Sequence, residues 1–187
     1  MRRGFKSQAE KSSAAARQAL GITLLEPLDP WAYAAHLQVR ILDFNKLGLP
    51  ASVIRQLVAV DHESWSAMTI QEAQSFGIVI NPAHALTRQR SNLMHELAHI
   101  ELRHVPSSVQ VSETGLLLLS DYSDDQEQEA DWHAAALLLP REGLMHMRSG
   151  HQSIDQIASH YGVSRQLTEW RLRMTGVEIQ IRRSGAR

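Results

Sequence analysis

The segment MHELAHIELRH, residues 94–104, places two histidines and a glutamate at a spacing that suits a metal site on a helix. His95 and His99 are four residues apart, so on an α-helix both imidazoles point the same way and can bind one cation. Glu96 is rotated by about 100° from His95, where its carboxylate can reach a metal-bound water without becoming a ligand. This H-E-x-x-H pattern therefore predicts metal-assisted hydrolysis, with two ligands and a general base on one rigid turn.

Any further ligand must be His, Asp or Glu, because the chain contains no cysteine. His104 follows closely, but on a continuing helix it would lie about 180° from His95 and face away from the metal. We interpret His104 as a surface or helix C-terminal histidine, where a cationic imidazole suits the helix dipole. The better candidate is Glu127 in the segment EQEAD, which could complete a tetrahedral site and leave the fourth position to water.

Asp131 lies four residues after Glu127, so both carboxylates should occupy one helical face. From this position Asp131 could accept the outer N–H of a ligating histidine, which would fix its tautomer and raise its basicity. Glu129 competes for the ligand role, but it lies about 200° around the helix from Glu127 and has no carboxylate four residues later. Without the H-E-x-x-H motif, a solvated acidic first turn would be the preferred explanation of Glu127.

Hydrophobic spacing and capping residues predict the elements that must hold these side chains in place. Helices are predicted over residues 4–20, from Asp29-Pro30 onward, and over 49–60, 86–104, 127–140 and the tail from 141. Strands are predicted over 38–44, 64–70 and 76–82. Residues 106–126 are mixed, with an apolar patch, GLLLL, and an acidic stretch. The order of helices, small sheet and helices predicts an α+β architecture.

The composition is that of a globular protein that buries a core, and it excludes several function classes. The 187 residues carry a formal net charge of −1, so the whole molecule has no bulk attraction to nucleic acid or anionic membranes. No apolar run approaches the length of a membrane span, so no membrane partner is expected. The N-terminal residues are basic but lack the apolar region of a signal peptide, and we expect a cytoplasmic protein.

The segments INPAHALTRQRSNLMHELAHIELRH and EQEADWHAAALLLP together resemble the ImmA/IrrE family of metallopeptidases. The resemblance extends over residues 35–175, and its motif is a strand ending in Asn-Pro, an Arg, H-E-L-x-H and a glutamate-rich helix. His133 departs from the pattern, where the family often has Phe, and this change should leave the site chemistry intact. The matching residues are Asn81, Pro82, Arg90, His95, Glu96, Leu97, His99, Glu127, Glu129, Ala130, Asp131, Ala134, Leu137, Leu138 and Pro140.

This resemblance implies a gluzincin-like zinc peptidase, in which a small mixed or antiparallel β-sheet packs against zincin-type helices. Zn²⁺ would be bound by His95, His99 and Glu127, with Glu96 as general base and Asp131 orienting His95. The implied role is transcription regulation, in a stress response or on a mobile element, through cleavage or inactivation of a helix-turn-helix repressor. We accordingly divide the chain into an N-terminal helical segment, a peptidase core and a C-terminal helical segment, over residues 1–34, 35–145 and 146–187.

We expect the substrate to lie extended along a predicted strand, whereas several residues could stabilise the oxyanion. An extended peptide could pair with the strand near residues 76–81 by β-addition, because this run ends at Asn-Pro just before the motif helix. Possible donors to the oxyanion are Tyr122, His62 and His133, and their spacing selects none of them.

The C-terminal run SIDQIASHYGVSRQLTEWRLRMTG has the shape of a helix-turn-helix, with Gly162 at the turn and Ser164 as N-cap. A recognition helix would offer Arg165, Gln166, Glu169 and Arg173. Apolar residues leave little free face for DNA, so we favour packing on the core through Leu167, Trp170, Leu172 and Met174. The alternative function is a non-cleaving, zinc-containing regulatory protein that sequesters a repressor or binds DNA through these helices.

Overall fold

The computed structural model describes residues 1–111 and 117–185, and within them the fold is α+β, which confirms the predicted class. The helices are α1 Phe5–Ala19, α2 Pro30–His36, α3 Ala51–Arg55, α4 Leu86–Glu101, α5 Asp124–Leu138, α6 Arg141–Ser149, α7 Ile154–Tyr161, α8 Arg165–Thr175 and α9 Val177–Gly185. The strands are β1 Arg40–Leu42, β2 Ala67–Glu72, β3 Ser75–Ile80, β4 Ser108–Val111 and β5 Leu117–Ser120. A 3₁₀ turn, Phe44–Lys46, follows β1, and α3 continues as a π-helical turn, Gln56–Val60. Across the described ranges, no helix combines the length and apolar character needed to span a membrane.

The five described strands form one mixed sheet in the order β1-β3-β2-β5-β4. β3 pairs in parallel with β1 on one side and antiparallel with β2 on the other. Gly77 leaves room for the Leu42 side chain of β1, because a Cβ atom there would lie 2.9 Å from it. The prediction that a substrate pairs with residues 76–81 is therefore wrong, since both sides of this strand are already occupied. Among the described strands, the free edges belong to β1 and β4.

β4 and β5 form an antiparallel pair that is not predicted from the sequence. They lie within residues 106–126, whose mixed composition shows no clear alternation. β5 also pairs with β2, so the two strands extend the sheet on the side opposite β1. Two residues of the predicted apolar patch, Gly115 and Leu116, lie outside the described residues.

Helix α4 packs against α5 and against strands β2 and β3. The apolar part of this contact belongs to one buried cluster, with Leu93, Met94, Leu97 and Ala98 from α4 and Ala130, Ala134, Leu137 and Leu138 from α5. Burial of each leucine contributes about 1.5–3 kcal/mol, so this interface is a major source of stability. It also fixes the two helices that carry the candidate site relative to each other.

The Asn-Pro motif after β3 closes the loop that leads into α4. The fully buried side chain of Asn81 donates to the carbonyl oxygens of His62 and Trp65 at 2.7 and 3.0 Å. Its own side-chain oxygen accepts the N–H of Ala83 at 2.9 Å. Asn81 therefore joins the turn before β2 to the start of the motif helix, which is a structural reason for asparagine here.

Both terminal segments contribute to the same core as the central segment. The Ser13 hydroxyl of α1 donates to the carbonyl oxygen of Ala136 at 2.6 Å. Arg171 of α8 is fully buried, donates to the carbonyl oxygen of Leu139 at 3.1 Å and forms an ion pair with Glu10 of α1. The boundaries of the three proposed segments stay a prediction, because one buried cluster draws on all of them.

Helices α7 and α8 have the predicted helix-turn-helix shape. Gly162 lies in the left-handed region with φ of +64°, and the Ser164 hydroxyl accepts the N–H of Leu167 at 3.1 Å. Three of the four apolar side chains predicted to face inward are buried or partly buried: Leu167, Trp170 and Leu172. Met174 is 42% exposed at the rim of a cavity beside α1, so its predicted inward packing is wrong.

Candidate metal centre

Two helices supply all five side chains for which a role at a metal is predicted. His95, Glu96 and His99 lie on α4, and Glu127 and Asp131 lie on α5. The Nε2 atoms of His95 and His99 are 3.0 Å apart. The carboxylate oxygens of Glu127 approach these two nitrogens at 3.1 and 3.6 Å. The packing of α4 on α5 thus brings together three side chains that are up to 32 positions apart in the chain.

The spacing of these donor atoms fits a tetrahedral zinc ion. One ligand atom from each of His95, His99 and Glu127 lies within 4.8 Å of the others. Zinc binds such atoms at about 2.0–2.2 Å, so donors at tetrahedral angles are about 3.3–3.5 Å apart. The observed separations of 3.0, 3.1 and 3.6 Å bracket this range. Two imidazoles and one carboxylate are also a donor set that catalytic zinc sites use, with one position open.

The charges around the two imidazoles favour a cation. The Oδ1 atom of Asp131 lies 3.0 Å from Nδ1 of His95, on the ring edge opposite Glu127. Burial lowers the pKa of His95, but hydrogen bonds to Asp131 and Glu127 outweigh it and raise that pKa to about 10. Burial, followed by the neighbouring His95, lowers the pKa of His99 to about 3. The carboxylates around His95 therefore stabilise positive charge at this position, which a cation bound between the two imidazoles would supply in place of the His95 proton.

Glu96 is anchored by a residue for which the sequence gives no signal. The hydroxyl of Thr69, buried on β2, donates to the Glu96 carboxylate. Burial raises the pKa of Glu96, and the Thr69 hydrogen bond and His95 oppose this effect. The contact joins the central sheet to the motif helix across 27 positions of the chain, so spacing alone could not have identified it.

His104 lies just beyond the C-terminal end of the helix, but the prediction that it is at the surface and faces away from the metal is wrong. Helix α4 ends at Glu101, and Arg103 adopts a left-handed conformation with φ of +54°, so the chain turns back. The His104 side chain is only 5% exposed, and its Nδ1 atom lies 3.1 Å from Nδ1 of His99. The prediction failed because it assumed that the helix continues through residue 104.

Glu129, the competitor of Glu127, is turned away from the two Nε2 atoms, as its position on the helix predicts. Its carboxylate is 5% exposed and lies 3.7 Å from Nε2 of His104. Arg2 binds it through the guanidinium at 2.7 to 3.0 Å and through its backbone N–H at 2.8 Å.

The three possible oxyanion donors lie in different surroundings. The ring of Tyr122 stacks on that of His99, with centroids 3.8 Å apart. The His133 ring is buried, and its Nε2 atom contacts the carboxylate of Glu101 at 2.8 Å. The His62 side chain is 45% exposed, and its backbone carbonyl belongs to the loop before β2. Tyr122 alone among these three contacts a predicted ligand.

A groove of about 720 Å³ lies between the end of α4 and the sheet, with His99 and Tyr122 in its wall. Phe76, Ile100 and Leu119 form an apolar part of its lining, and Arg103 is among its polar lining residues. The groove therefore places apolar and polar side chains next to the candidate metal centre.

Two packed helices carry H-E-x-x-H and a downstream glutamate beside a small mixed sheet, which is the arrangement expected of a metallopeptidase core. The family model of the IrrE N-terminal-like domain, Peptidase_M78, matches residues 60–173. This match covers more than half of the chain, and the chain belongs to that family. The comparison with curated protein sequences found no match to the chain.

Proposed function

We propose that the protein is a zinc-dependent endopeptidase that holds the metal with His95, His99 and Glu127. The observation that carries this proposal is the convergence of two imidazole nitrogens and a carboxylate at distances of 3.0–3.6 Å. When bound there, zinc would lower the pKa of a water molecule and polarise the scissile carbonyl group. Membership of a peptidase family supports a protein substrate.

Glu96 is the general base in this proposal. Its carboxylate takes a proton from the attacking water and later delivers it to the leaving amine. The Thr69 hydroxyl holds one carboxylate oxygen, which leaves the other free for proton transfer. Asp131 accepts the Nδ1–H of His95, so that the lone pair on Nε2 faces the metal position.

Tyr122 is our candidate for the donor that stabilises the oxyanion. Its ring lies against His99, whereas His133 is committed to Glu101 and buried away from the ligands. Burial, followed by the charges of nearby glutamates, raises the pKa of Tyr122 to about 12. The phenol therefore keeps its proton at neutral pH and can donate a hydrogen bond.

The substrate segment is proposed to bind in an extended conformation along the free edge of β4. This edge replaces β3, whose two sides are paired, and strand addition uses backbone hydrogen bonds that an edge offers. The resemblance to ImmA/IrrE proteins supports a helix-turn-helix repressor as substrate and a cytoplasmic location.

DNA binding through α7 and α8 receives little support from the surface of the second helix. Arg165 is held by Asp155 and Glu169 at 2.7 and 2.8 Å, and Arg171 is buried in the core. Arg171 is therefore not available to phosphates, and Arg165, which is 56% exposed, would have to exchange two surface ion pairs to bind one. Salt-dependent binding to promoter DNA would be the measurement that revives this alternative.

The test is a comparison of wild-type protein with Glu96→Gln on a helix-turn-helix repressor encoded next to its gene. Both proteins should contain one zinc ion per chain, because Glu96 is not a ligand. Wild type should cleave the repressor, and Glu96→Gln should cleave it about 10²–10⁴-fold more slowly. If Glu96→Gln relieves repression as fully as wild type, the protein acts by sequestration and the peptidase proposal fails.

A further inference from the structure

Two residues that the proposed ligand set does not use, His104 and Glu129, meet beside the candidate metal centre. His104 Nδ1 lies 3.1 Å from Nδ1 of His99, and His104 Nε2 lies 3.7 Å from Oε2 of Glu129. Both side chains are 5% exposed, so this is a buried contact between a histidine and a carboxylate. Histidine and glutamate side chains are rarely this buried unless they are hydrogen-bonded or paired with an opposite charge.

If Nε2 of His99 is to bind a cation, the N–H at Nδ1 of the same ring requires a hydrogen-bond acceptor. Nε2 of His99 faces His95 and Glu127, so the ring proton of the neutral imidazole belongs on Nδ1. That N–H points at Nδ1 of His104 across a hydrogen-bonding distance of 3.1 Å. His104 Nδ1 must then carry a lone pair, which places the His104 proton on Nε2, on the side of Glu129.

Arg2 keeps the Glu129 carboxylate in position for this tautomer. Its Nε atom lies 3.0 Å from each carboxylate oxygen, its terminal nitrogen 2.7 Å from Oε2, and its backbone nitrogen 2.8 Å from Oε1. Charge-assisted, bidentate hydrogen bonds of this kind hold a carboxylate in one orientation. The 3.7 Å between Glu129 and His104 is longer than a hydrogen bond, so this link is electrostatic.

We propose that His104 is a positioning residue for His99, and that Glu129 and Arg2 hold His104 in the tautomer that accepts the His99 Nδ1–H. The inference rests on the proposed function, because it requires His99 to bind a cation through Nε2. Each ligating imidazole then has its own hydrogen-bond acceptor. Asp131 accepts from His95, and His104, which lies beside Glu129, accepts from His99. Arg2 lies outside the matched residues 60–173, so the N-terminal segment takes part in organising the site.

The experiment measures zinc affinity of the full chain by competition with a chromophoric chelator, for wild type, His104→Leu and His104→Asn. Leucine removes the acceptor, whereas asparagine keeps an acceptor oxygen close to the position of Nδ1. Loss of such a partner weakens metal binding by about 10–100-fold, which is the result expected for His104→Leu. His104→Asn should recover most of the wild-type affinity.

His133→Leu is the matched control for a merely structural effect. His133 is also a buried histidine at the α4–α5 interface, and its Nε2 atom contacts Glu101 at 2.8 Å. Its loss should lower resistance to urea and leave the zinc affinity unchanged. Glu129→Gln, which keeps the side-chain shape, should weaken zinc binding by less than His104→Leu but measurably.

The outcomes separate this inference from the proposed function. Wild-type affinity in His104→Leu, or equal losses in His104→Leu and His104→Asn, would overturn the positioning role. A loss in His133→Leu as large as in His104→Leu would show that general destabilisation is the cause. Should His104→Leu fail to fold, wild-type affinity in Glu129→Gln would still overturn the assignment of the tautomer. A wild-type chain that binds no zinc overturns both proposals together.

Discussion

Replacement of Glu127 by glutamine should weaken zinc binding far more than the same charge change one helical turn later, in Asp131→Asn. Both substitutions remove one negative charge from α5, and both side chains are substantially exposed, at 44% and 66%. The loss of zinc affinity that comes from removing a nearby negative charge is therefore nearly the same in the two variants. The two variants then differ in the atoms that the altered side chain contacts. Glu127 faces the Nε2 atoms of His95 and His99, whereas Asp131 faces only Nδ1 of His95.

The expected magnitudes follow from these contacts. The amide oxygen of asparagine can still accept the His95 Nδ1–H, so Asp131→Asn should weaken zinc binding by about tenfold, at the low end for a partner of a ligand. Glu127→Gln changes a ligand itself and should exceed the top of that range, with a loss of more than about 100-fold. At about 1.4 kcal/mol for each factor of ten, the two losses are about 1.4 kcal/mol and more than about 2.8 kcal/mol.

Two measurements give these energies independently. Competition with a chelator yields the dissociation constant directly. Urea unfolding in a fixed excess of zinc yields the same difference, because a ligand stabilises the folded state in proportion to the logarithm of its concentration over its dissociation constant. Equal losses in the two variants, or a loss below about tenfold for Glu127→Gln, would refute the ligand role of Glu127.

Three further substitutions test the scaffold. Thr69→Val should keep zinc but slow repressor cleavage by about 10–100-fold, because a hydrogen bond to the Glu96 carboxylate is lost; an unchanged rate would contradict this. Gly162→Ala should lower the free energy of unfolding by about 1–2 kcal/mol, since φ is +64° and a Cβ atom would lie 3.1 Å from Nε of Arg90; urea unfolding checks it. Arg171→Met should cost about 1–3 kcal/mol, because it removes an ion pair with the partly buried Glu10 and a hydrogen bond to the Leu139 carbonyl, and an increase in stability would count against these contacts.

The helices could be predicted from the sequence because their signals are local. Asp29 and Ser164 are N-caps, as predicted, since their side chains accept backbone N–H groups three residues later. The strands could be predicted less well, because pairing joins distant segments. β4 and β5 were missed in a stretch without clear alternation, and nothing in the run 76–82 indicates that β1 covers one of its edges.

The candidate site divides in the same way. The face shared by His95 and His99, and that shared by Glu127 and Asp131, follow from 3.6 residues per turn, so helical spacing alone was enough to predict both. Helical geometry also turned Glu129 away from Glu127. No local rule could pair the two faces, because their approach depends on how α4 packs on α5.

By itself, the sequence determined the family, the helices and which side chains share a helical face, since these depend on neighbours within a turn or two. The tertiary structure decided which groups surround those side chains. It ended α4 at Glu101 and turned His104 back onto His99, and it brought Thr69 to Glu96. Among the described strands, it left β1 and β4, rather than β3, at the edges of the sheet. These contacts depend on a reversal of the chain and on packing between distant segments, and the hydrophobic periodicity of the sequence predicts neither.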